Sequence, residues 1–304
     1  MEAKRKNLYV RILLAVSVVL VALIIVITFS DNSVIPNWQG IYNILTGKTI
    51  ATEDDMVKFI DVGQGDSILI SSQGYNCLVD FGNESSYGQE LLGDLKDCGV
   101  NELDCVILTH YDTDHAGGAA RVITGIKTHY ALMPEQHDRS ETVFNDLQYA
   151  LEESGTKVSF AKAGTVVNIG NFEITVLAYG ANEEDENDRS IVLMVKNGDK
   201  KFLLTGDAGA GVEKTMLDDR INVDCDVYKA AHHGSRNSNS KEFVEAASPT
   251  YAVYSVGASN QYGHPHEEVT EILENAGAKI YTTAKHGDVT FYIKDGELSV
   301  ETDY

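Results

Sequence analysis

From residue 56 onward the chain alternates short apolar runs with turn residues. Strand-length runs fall at 57–62, 67–71, 76–80 and 105–109. The segment 164–178 reads as two strands split by Asn168-Ile169-Gly170-Asn171, and 190–206 as a hairpin about Asn197-Gly198-Asp199. Further strands are predicted at 225–231, 251–256, 279–282, 288–293 and 297–302. Helical periodicity marks 87–97, 116–124, 141–153, 208–219, 240–247 and 266–276. Strands interspersed with helices, without strict βαβ alternation, predict an α/β (α+β) architecture of two packed sheets with helices outside, in one domain over 56–304.

The N-terminus has another pattern. Residues 12–29 are 18 consecutive positions without a charge, about 27 Å as a helix and long enough for a bilayer core. Lys4, Arg5, Lys6 and Arg11 precede this run against a lone Glu2. The positive-inside rule then holds the N-terminus in the cytoplasm and puts the body of the chain outside. Residues 1–30 therefore read as a signal-anchor or transmembrane segment and 31–55 as a polar tether. The rival reading is a secretory signal, with the protein released after cleavage. No A-x-A site follows the run, which favours the anchor.

Charge and cysteine content narrow the function. There are 24 Lys plus Arg against 46 Asp plus Glu, a net charge of −22, which excludes a general nucleic-acid coat. It leaves open an enzyme that meets phosphate through a metal ion. Cys77, Cys98, Cys105 and Cys225 have no C-x-x-C spacing and are read as packing residues, not ligands. Gly47-Lys48-Thr49 imitates the end of a phosphate loop, but Tyr42 stands where its first glycine belongs.

The chemistry concentrates at strand ends. After the run ending at Thr109 come His110, Asp112, Asp114 and His115, four potential ligands within six residues, followed by small residues that open a helix. A capping turn needs one such residue, not four. The spacing lets His110 and Asp112 face one point and Asp114 and His115 another, a donor set suited to zinc, manganese or iron. Three more runs deliver Asp80, Asp207 and the pair His232-His233. The two oxygens of Asp207 suit it to bridge two metals. His232 and His233, adjacent on a strand end, are expected to point opposite ways. One then binds metal, and the other contacts substrate or packs. His264 precedes a helix beginning near His266 and is a candidate to protonate a leaving group or hold a phosphate oxygen. Ser235 and Ser238 are candidate substrate contacts. His129 and His137 lack strand-end context and are read as surface residues.

These segments resemble the metallo-β-lactamase-fold hydrolases over nearly all of 56–304. Among them the chain is most similar to the extracellular hydrolase domain of ComEC-type competence proteins and their free-standing relatives. The marks are the run Phe59-Ile60-Asp61-Val62-Gly63-Gln64-Gly65-Asp66-Ser67, the 110–115 loop, Asn187-Asp188-Arg189-Ser190-Ile191-Val192-Leu193, His232-His233-Gly234-Ser235, and Asn260 through Tyr262-Gly263-His264-Pro265-His266. The resemblance implies an αββα sandwich with one or two divalent metals at the sheet edge. The first metal would take His110 and Asp112; the second, Asp114, His115 and one of His232 and His233. Asp207 would lie between them and Asp80 would brace the 110–115 loop from behind. Asp114 and His264 are the candidate catalytic residues.

Two departures from the broader family matter. Asp112 replaces the second histidine of the common loop. The usual single histidine before Asp207 is absent, with Asn187 to Ser190 in its region. More oxygen and less imidazole shift the first site from zinc toward manganese or magnesium. The expected activity is metal-assisted hydrolysis of a phosphodiester, in nucleic acid or an envelope polymer, by a membrane-anchored extracytoplasmic enzyme. The alternatives are hydrolysis of a lactone, β-lactam or thioester, and a non-enzymatic competence or envelope binding module.

Overall fold

The computed structural model describes Ser17 and residues 55–83, 86–135, 142–180 and 185–304. The predicted anchor at 12–29, nearly all of the tether and His137 lie outside the described residues, among which no helix is long and apolar enough to cross a membrane.

The first half supplies β1 (Asp55–Phe59), β2 (Ile68–Ser72), β3 (Tyr75–Val79), β4 (Glu102–Leu103), β5 (Cys105–Ile107), β6 (Lys127–Thr128), β7 (Tyr130–Met133) and β8 (Lys157–Phe160). The second supplies β9 (Val166–Ile169), β10 (Phe172–Tyr179), β11 (Ile191–Asn197), β12 (Lys200–Leu204), β13 (Val227–Lys229), β14 (Tyr251–Tyr254), β15 (Lys279–Thr282), β16 (Val289–Lys294) and β17 (Glu297–Thr302). An eight-stranded sheet has the order β17-β16-β1-β2-β3-β5-β7-β8, and a seven-stranded sheet the order β15-β14-β13-β12-β11-β10-β9. The helices are α1 (Ser86–Asp97), α2 (Thr113–Ala116), α3 (Ala119–Gly125), α4 (Thr142–Ser154), α5 (Ala210–Asp218), α6 (Lys241–Ala247), α7 (Glu267–Asn275) and α8 (Thr283–His286).

The layering follows from side-chain alternation along strands that are buried on both faces. Val57, Ile70, Cys77, Val79 and Ile107 of the first sheet meet Ile174, Leu193, Val195 and Phe202 of the second in the central core. The intervening Leu69, Leu78 and Val106 face outward onto Leu91 and Leu95 of α1, Val122 of α3 and Leu147 of α4. Val192, Met194 and Leu203 likewise face Met216 of α5, Phe243 of α6 and Leu273 of α7. The result is the expected αββα sandwich. At one end of it, Asp55 accepts hydrogen bonds from Ser72 Oγ (2.5 Å), Asn171 Nδ2 (2.9 Å) and Asn197 Nδ2 (2.6 Å), and so ties β1 and β2 to the turns of the second sheet.

Two expectations change. The strand predicted at 225–231 stops at Lys229, and His232 and His233 adopt left-handed backbone (φ 52° and 55°) instead of extended geometry. The helix predicted at 116–124 is broken at Gly117-Gly118 into α2 and α3. The parallel pairings β3–β5 and β12–β13–β14 matter most for function, because they bring the carboxyl ends of five strands to one edge.

Candidate metal centre

The site is built backward from Asp80, at the end of β3. Its buried carboxylate accepts from Thr109 N (2.8 Å), Thr109 Oγ1 (2.7 Å) and His115 Nδ1 (2.8 Å). With its proton committed to Asp80, Thr109 Oγ1 meets His110 Nδ1 at 3.0 Å as an acceptor. His233 Nδ1 lies 2.8 Å from the Ser255 carbonyl, which only accepts. In the neutral form each of these rings therefore carries its proton on Nδ1 and presents an Nε2 lone pair.

Those lone pairs share one space with carboxylates. His115 Nε2 is 3.2 Å from Asp207 Oδ1 and 3.4 Å from His233 Nε2. His233 Nε2 is 3.2 Å from Asp114 Oδ2 and 3.5 Å from Asp207 Oδ2, and Asp112 Oδ2 lies 3.8 Å from His110 Nε2. Ligand atoms of His110, His115 and Asp207 all fall within 4.8 Å of one another. His110 Nε2 and Asp207 Oδ1 are buried without a hydrogen-bond partner among the described residues. Two acceptors left unbonded among convergent imidazoles and carboxylates fit a divalent cation.

Local sequence makes this possible. Gly65 has φ +138°, and a Cβ there would meet the Asp114 carbonyl at 2.2 Å, so glycine lets the 61–67 loop press on the ligand loop. Asp66 N donates to that same carbonyl. The turn bearing the histidine pair is held by Asn239, whose Oδ1 accepts from Ala231 N and Tyr228 Oη and whose Nδ2 donates to Ala231 O and Ser235 O. Asp207 N donates to Ser190 Oγ, which also stands 3.4 Å from His110 Nδ1.

The charges are tightly balanced. Burial and the neighbouring His115 push His110 down to about 3. Burial also opposes charge on His233, but Asp207, Asp114 and Asp66 outweigh it and lift the group to about 9. His115 is raised in the same way by Asp207 and Asp80. Burial opposes ionisation of Asp207, yet the histidines hold its pKa well below the ordinary carboxylate range. Burial and Asp114 push Asp112 up to about 6. In metal-free protein, a His233 raised from 6.5 to about 9 contributes stability that is complete below pH 6.5 and lost as pH rises through 9. Chelated protein is expected to lose roughly 3 kcal/mol across that window. Metal-loaded protein, whose Nε2 atoms have no proton to lose, is expected to stay level. Thermal melts with and without chelator check this, and a flat profile for the chelated protein would contradict it.

The structure brings His110, Asp112, Asp114, His115, Asp207 and His233 to this edge, with Asp80 behind them. Asp112 occupies the N-cap of α2 but makes no side-chain cap bond, so its carboxylate is free for other work. Of the histidine pair, His233 is buried in the cluster. His232 is partly exposed, its Nε2 3.8 Å from Asp207 Oδ2, and faces His264 edge-on at 5.6 Å between ring centroids. His264 is held by a reciprocal pair of bonds with Asn260, and its buried Nδ1 has no partner among the described residues. Burial, with His233 and His232, lowers it to about 4. It is neutral at pH 7, which suits holding a phosphate oxygen better than delivering a proton. Ser235 Oγ accepts from Asn237 N at 3.3 Å and shapes the turn, while Ser238 Oγ is buried and unpartnered. His129 is exposed beside Glu102, and the four cysteines are free.

Sequence spacing assigns no role to two residues next to the site. Lys229 Nζ forms a fully buried ion pair with Asp66 Oδ2 at 3.0 Å, and Asp66 Oδ1 lies 3.4 Å from His233 Nδ1. The signal was a lysine inside the apolar run Val227-Tyr228-Lys229-Ala230-Ala231 of a strand buried on both faces.

Comparison with known proteins agrees with this geometry. Residues 60–258 match the Metallo-beta-lactamase superfamily. The chain is 31% identical over 268 residues to ComE operon protein 3 of Bacillus subtilis (strain 168), covering 82% of this chain and 34% of that protein. It is 30% identical to Competence protein ComA of Neisseria gonorrhoeae, covering 79% of this chain and 33% of that one. The chain thus spans about a third of the length of these relatives. Among solved structures, the metallo-beta-lactamase fold protein YhfI from Bacillus subtilis superposes with a TM-score of 0.53 at 15% identity, covering 82% of this chain and 100% of that one. With its sandwich, its convergent His/Asp cluster and its relatedness to competence proteins, the chain belongs to the metallo-β-lactamase superfamily of metal-dependent hydrolases.

Proposed function

We propose that the protein is a metal-dependent phosphodiesterase, anchored in the cell membrane by residues 12–29 with its hydrolase domain on the extracytoplasmic side. The observation that carries the chemistry is the convergence of His110, His115 and His233 Nε2 on Asp207 and Asp114, with His110 Nε2 and Asp207 Oδ1 buried and unbonded among the described residues. His110, Asp112 and Asp207 would hold one cation; Asp114, His115, His233 and Asp207 would hold a second. A cation bound there supplies Lewis acidity toward a phosphoryl oxygen and lowers the pKa of water. The oxygen-rich first position favours manganese, and the imidazole-rich second position accepts manganese or zinc.

The chain's own residues do the rest. Asp80 fixes the ring of His115 directly and that of His110 through Thr109. Asp66 and the Ser255 carbonyl fix His233 from its far side. Neutral His264, at the edge of the cluster beside His232, offers an N–H to a non-bridging phosphate oxygen. A net charge of −22 supports a short phosphodiester or a wall polymer over long duplex DNA.

The test is hydrolysis of bis-p-nitrophenyl phosphate, single-stranded DNA and double-stranded DNA with Mn²⁺, Zn²⁺ or Mg²⁺. Cleavage of the model diester that chelation abolishes and Mn²⁺ restores is the expected result. Protein that binds metal yet cleaves no diester would overturn the substrate class and turn attention to lactones and thioesters. Topology is checked by protease treatment of intact cells, with digestion of the domain expected and protection refuting the anchor orientation.

A further inference from the structure

The first proposed metal position has fewer ligands than the second, and the turn beside it carries a polar atom with no hydrogen-bond partner among the described residues. Asn187 opens a short 3-10 turn, Asn187–Arg189, between β10 and β11. Its neighbours fasten this turn to both ligand-bearing loops. Glu186 Oε1 accepts from Tyr111 N at 3.1 Å, in the loop of His110 and Asp112. Asp188 Oδ1 accepts from Gly209 N at 2.8 Å, in the loop of Asp207. Ser190 Oγ reaches both, at 3.4 Å from His110 Nδ1 and 3.0 Å from Asp207 N. Ile191 N donates to Thr109 O. The turn is thus wedged where the His110 and Asp207 loops meet.

Within it, the amide of Asn187 is polarised in position. Its Nδ2 donates to Asp185 Oδ1 at 3.2 Å, and its backbone N donates to the same oxygen at 3.0 Å. The opposite end, Oδ1, is shielded from solvent and has no donor among the described residues. A buried amide oxygen without a partner costs about 1–3 kcal/mol, and native proteins rarely leave one without a reason. His110 Nε2 and Asp207 Oδ1 are orphaned in the same region. Three buried acceptors left without a hydrogen bond, on segments tied to each other, fit a shared cation.

We propose that Asn187 Oδ1 is a ligand of the first metal position, together with His110, Asp112 and Asp207. This rests on the metal-dependent reading above. An amide oxygen adds a hard, neutral donor, so it completes coordination without deepening the negative charge that Asp112, Asp114 and Asp207 already concentrate there. That donor set suits Mn²⁺ better than the position built on His115 and His233 does, and it holds an ion more loosely.

The experiment titrates Mn²⁺ into the chelated full-length protein and follows free Mn²⁺ by electron paramagnetic resonance, with no substrate present. Wild type is expected to bind two ions. Asn187→Ala is expected to keep one at wild-type affinity and to bind the other at least tenfold more weakly. Asn187→Asp, which keeps the shape and an oxygen donor, is expected to bind both. Asn187→Ala protein with two ions at wild-type affinity would overturn the assignment. So would wild type that binds one ion which Asn187→Ala leaves unchanged. Wild type that binds no ion would overturn the metal reading itself. Melting curves of the metal-free variants separate ligand loss from misfolding, and a folded Asn187→Asp that binds only one ion would also overturn the assignment.

Discussion

Replacing Asp207 with alanine is expected to abolish metal-dependent hydrolysis, with a loss of at least 10³-fold in kcat/KM, about 4 kcal/mol of transition-state stabilisation. Asp207 is the residue on which both halves of the site converge. Its carboxylate lies 3.2 Å from His115, 3.5 Å from His233 and 3.8 Å from His232, and it is buried. On the proposed two-ion arrangement its removal takes away the carboxylate shared by both positions, so metal content and turnover should fall together. Metal analysis of the purified variant beside its rate checks the link: full metal content with no activity would place Asp207 in the chemistry alone, and wild-type activity would remove it from the site. The variant should also be less stable without metal, because His115 and His233 then lose the anion that raises their pKa values.

Lys229→Met is expected to cost about 3–5 kcal/mol of stability. Lys229 and Asp66 are both fully buried, and the lysine also donates to Ala230 O. Burial resists ionisation of Asp66, and the Lys229 ammonium and His233 overcome that and hold it ionised. Methionine fills the lysine's volume but leaves the carboxylate buried beside a single histidine. The double change Lys229→Met with Asp66→Asn should recover part of the loss, since it removes both charges. Urea titrations of the three variants measure this; a double variant as unstable as the sum of the singles would show that the two residues do not act as a pair.

Residues that announce themselves locally were legible in the sequence. His110, Asp112, Asp114 and His115 crowd one strand end, and Asp80 and Asp207 each follow an apolar run. The sandwich could be read because both faces of its strands are buried, which writes nearly continuous apolar segments. Backbone sense was hidden. Strand alternation would turn His232 and His233 to opposite faces, but the chain has already left β13 and entered a left-handed turn, and that turn carries His233 inward. The Asp66–Lys229 pair was hidden for another reason: its members lie far apart in sequence, and only the docking of two sheets joins them. The strand β8 writes no apolar run because it faces mostly solvent.

The tie made by Asp55 has a mechanical consequence for the cation. Asp55 begins β1 and clasps the turn at Asn197, where β11 ends; the ligand loops follow β3, β5, β12 and β13, and Ser190 sits where β11 begins. The clasp and the ion site are therefore at opposite ends of the same two leaves, like the spine and the latch of a book. Hydrogen bonds keep the spine shut without help. The latch gathers His110 and His115 from one leaf and Asp207 and His233 from the other. An ion bound there would add to the ties that Ile191 N to Thr109 O, Tyr111 N to Glu186 Oε1 and the Asp66–Lys229 pair already make between the leaves, so it would stiffen a margin that is closed before it arrives.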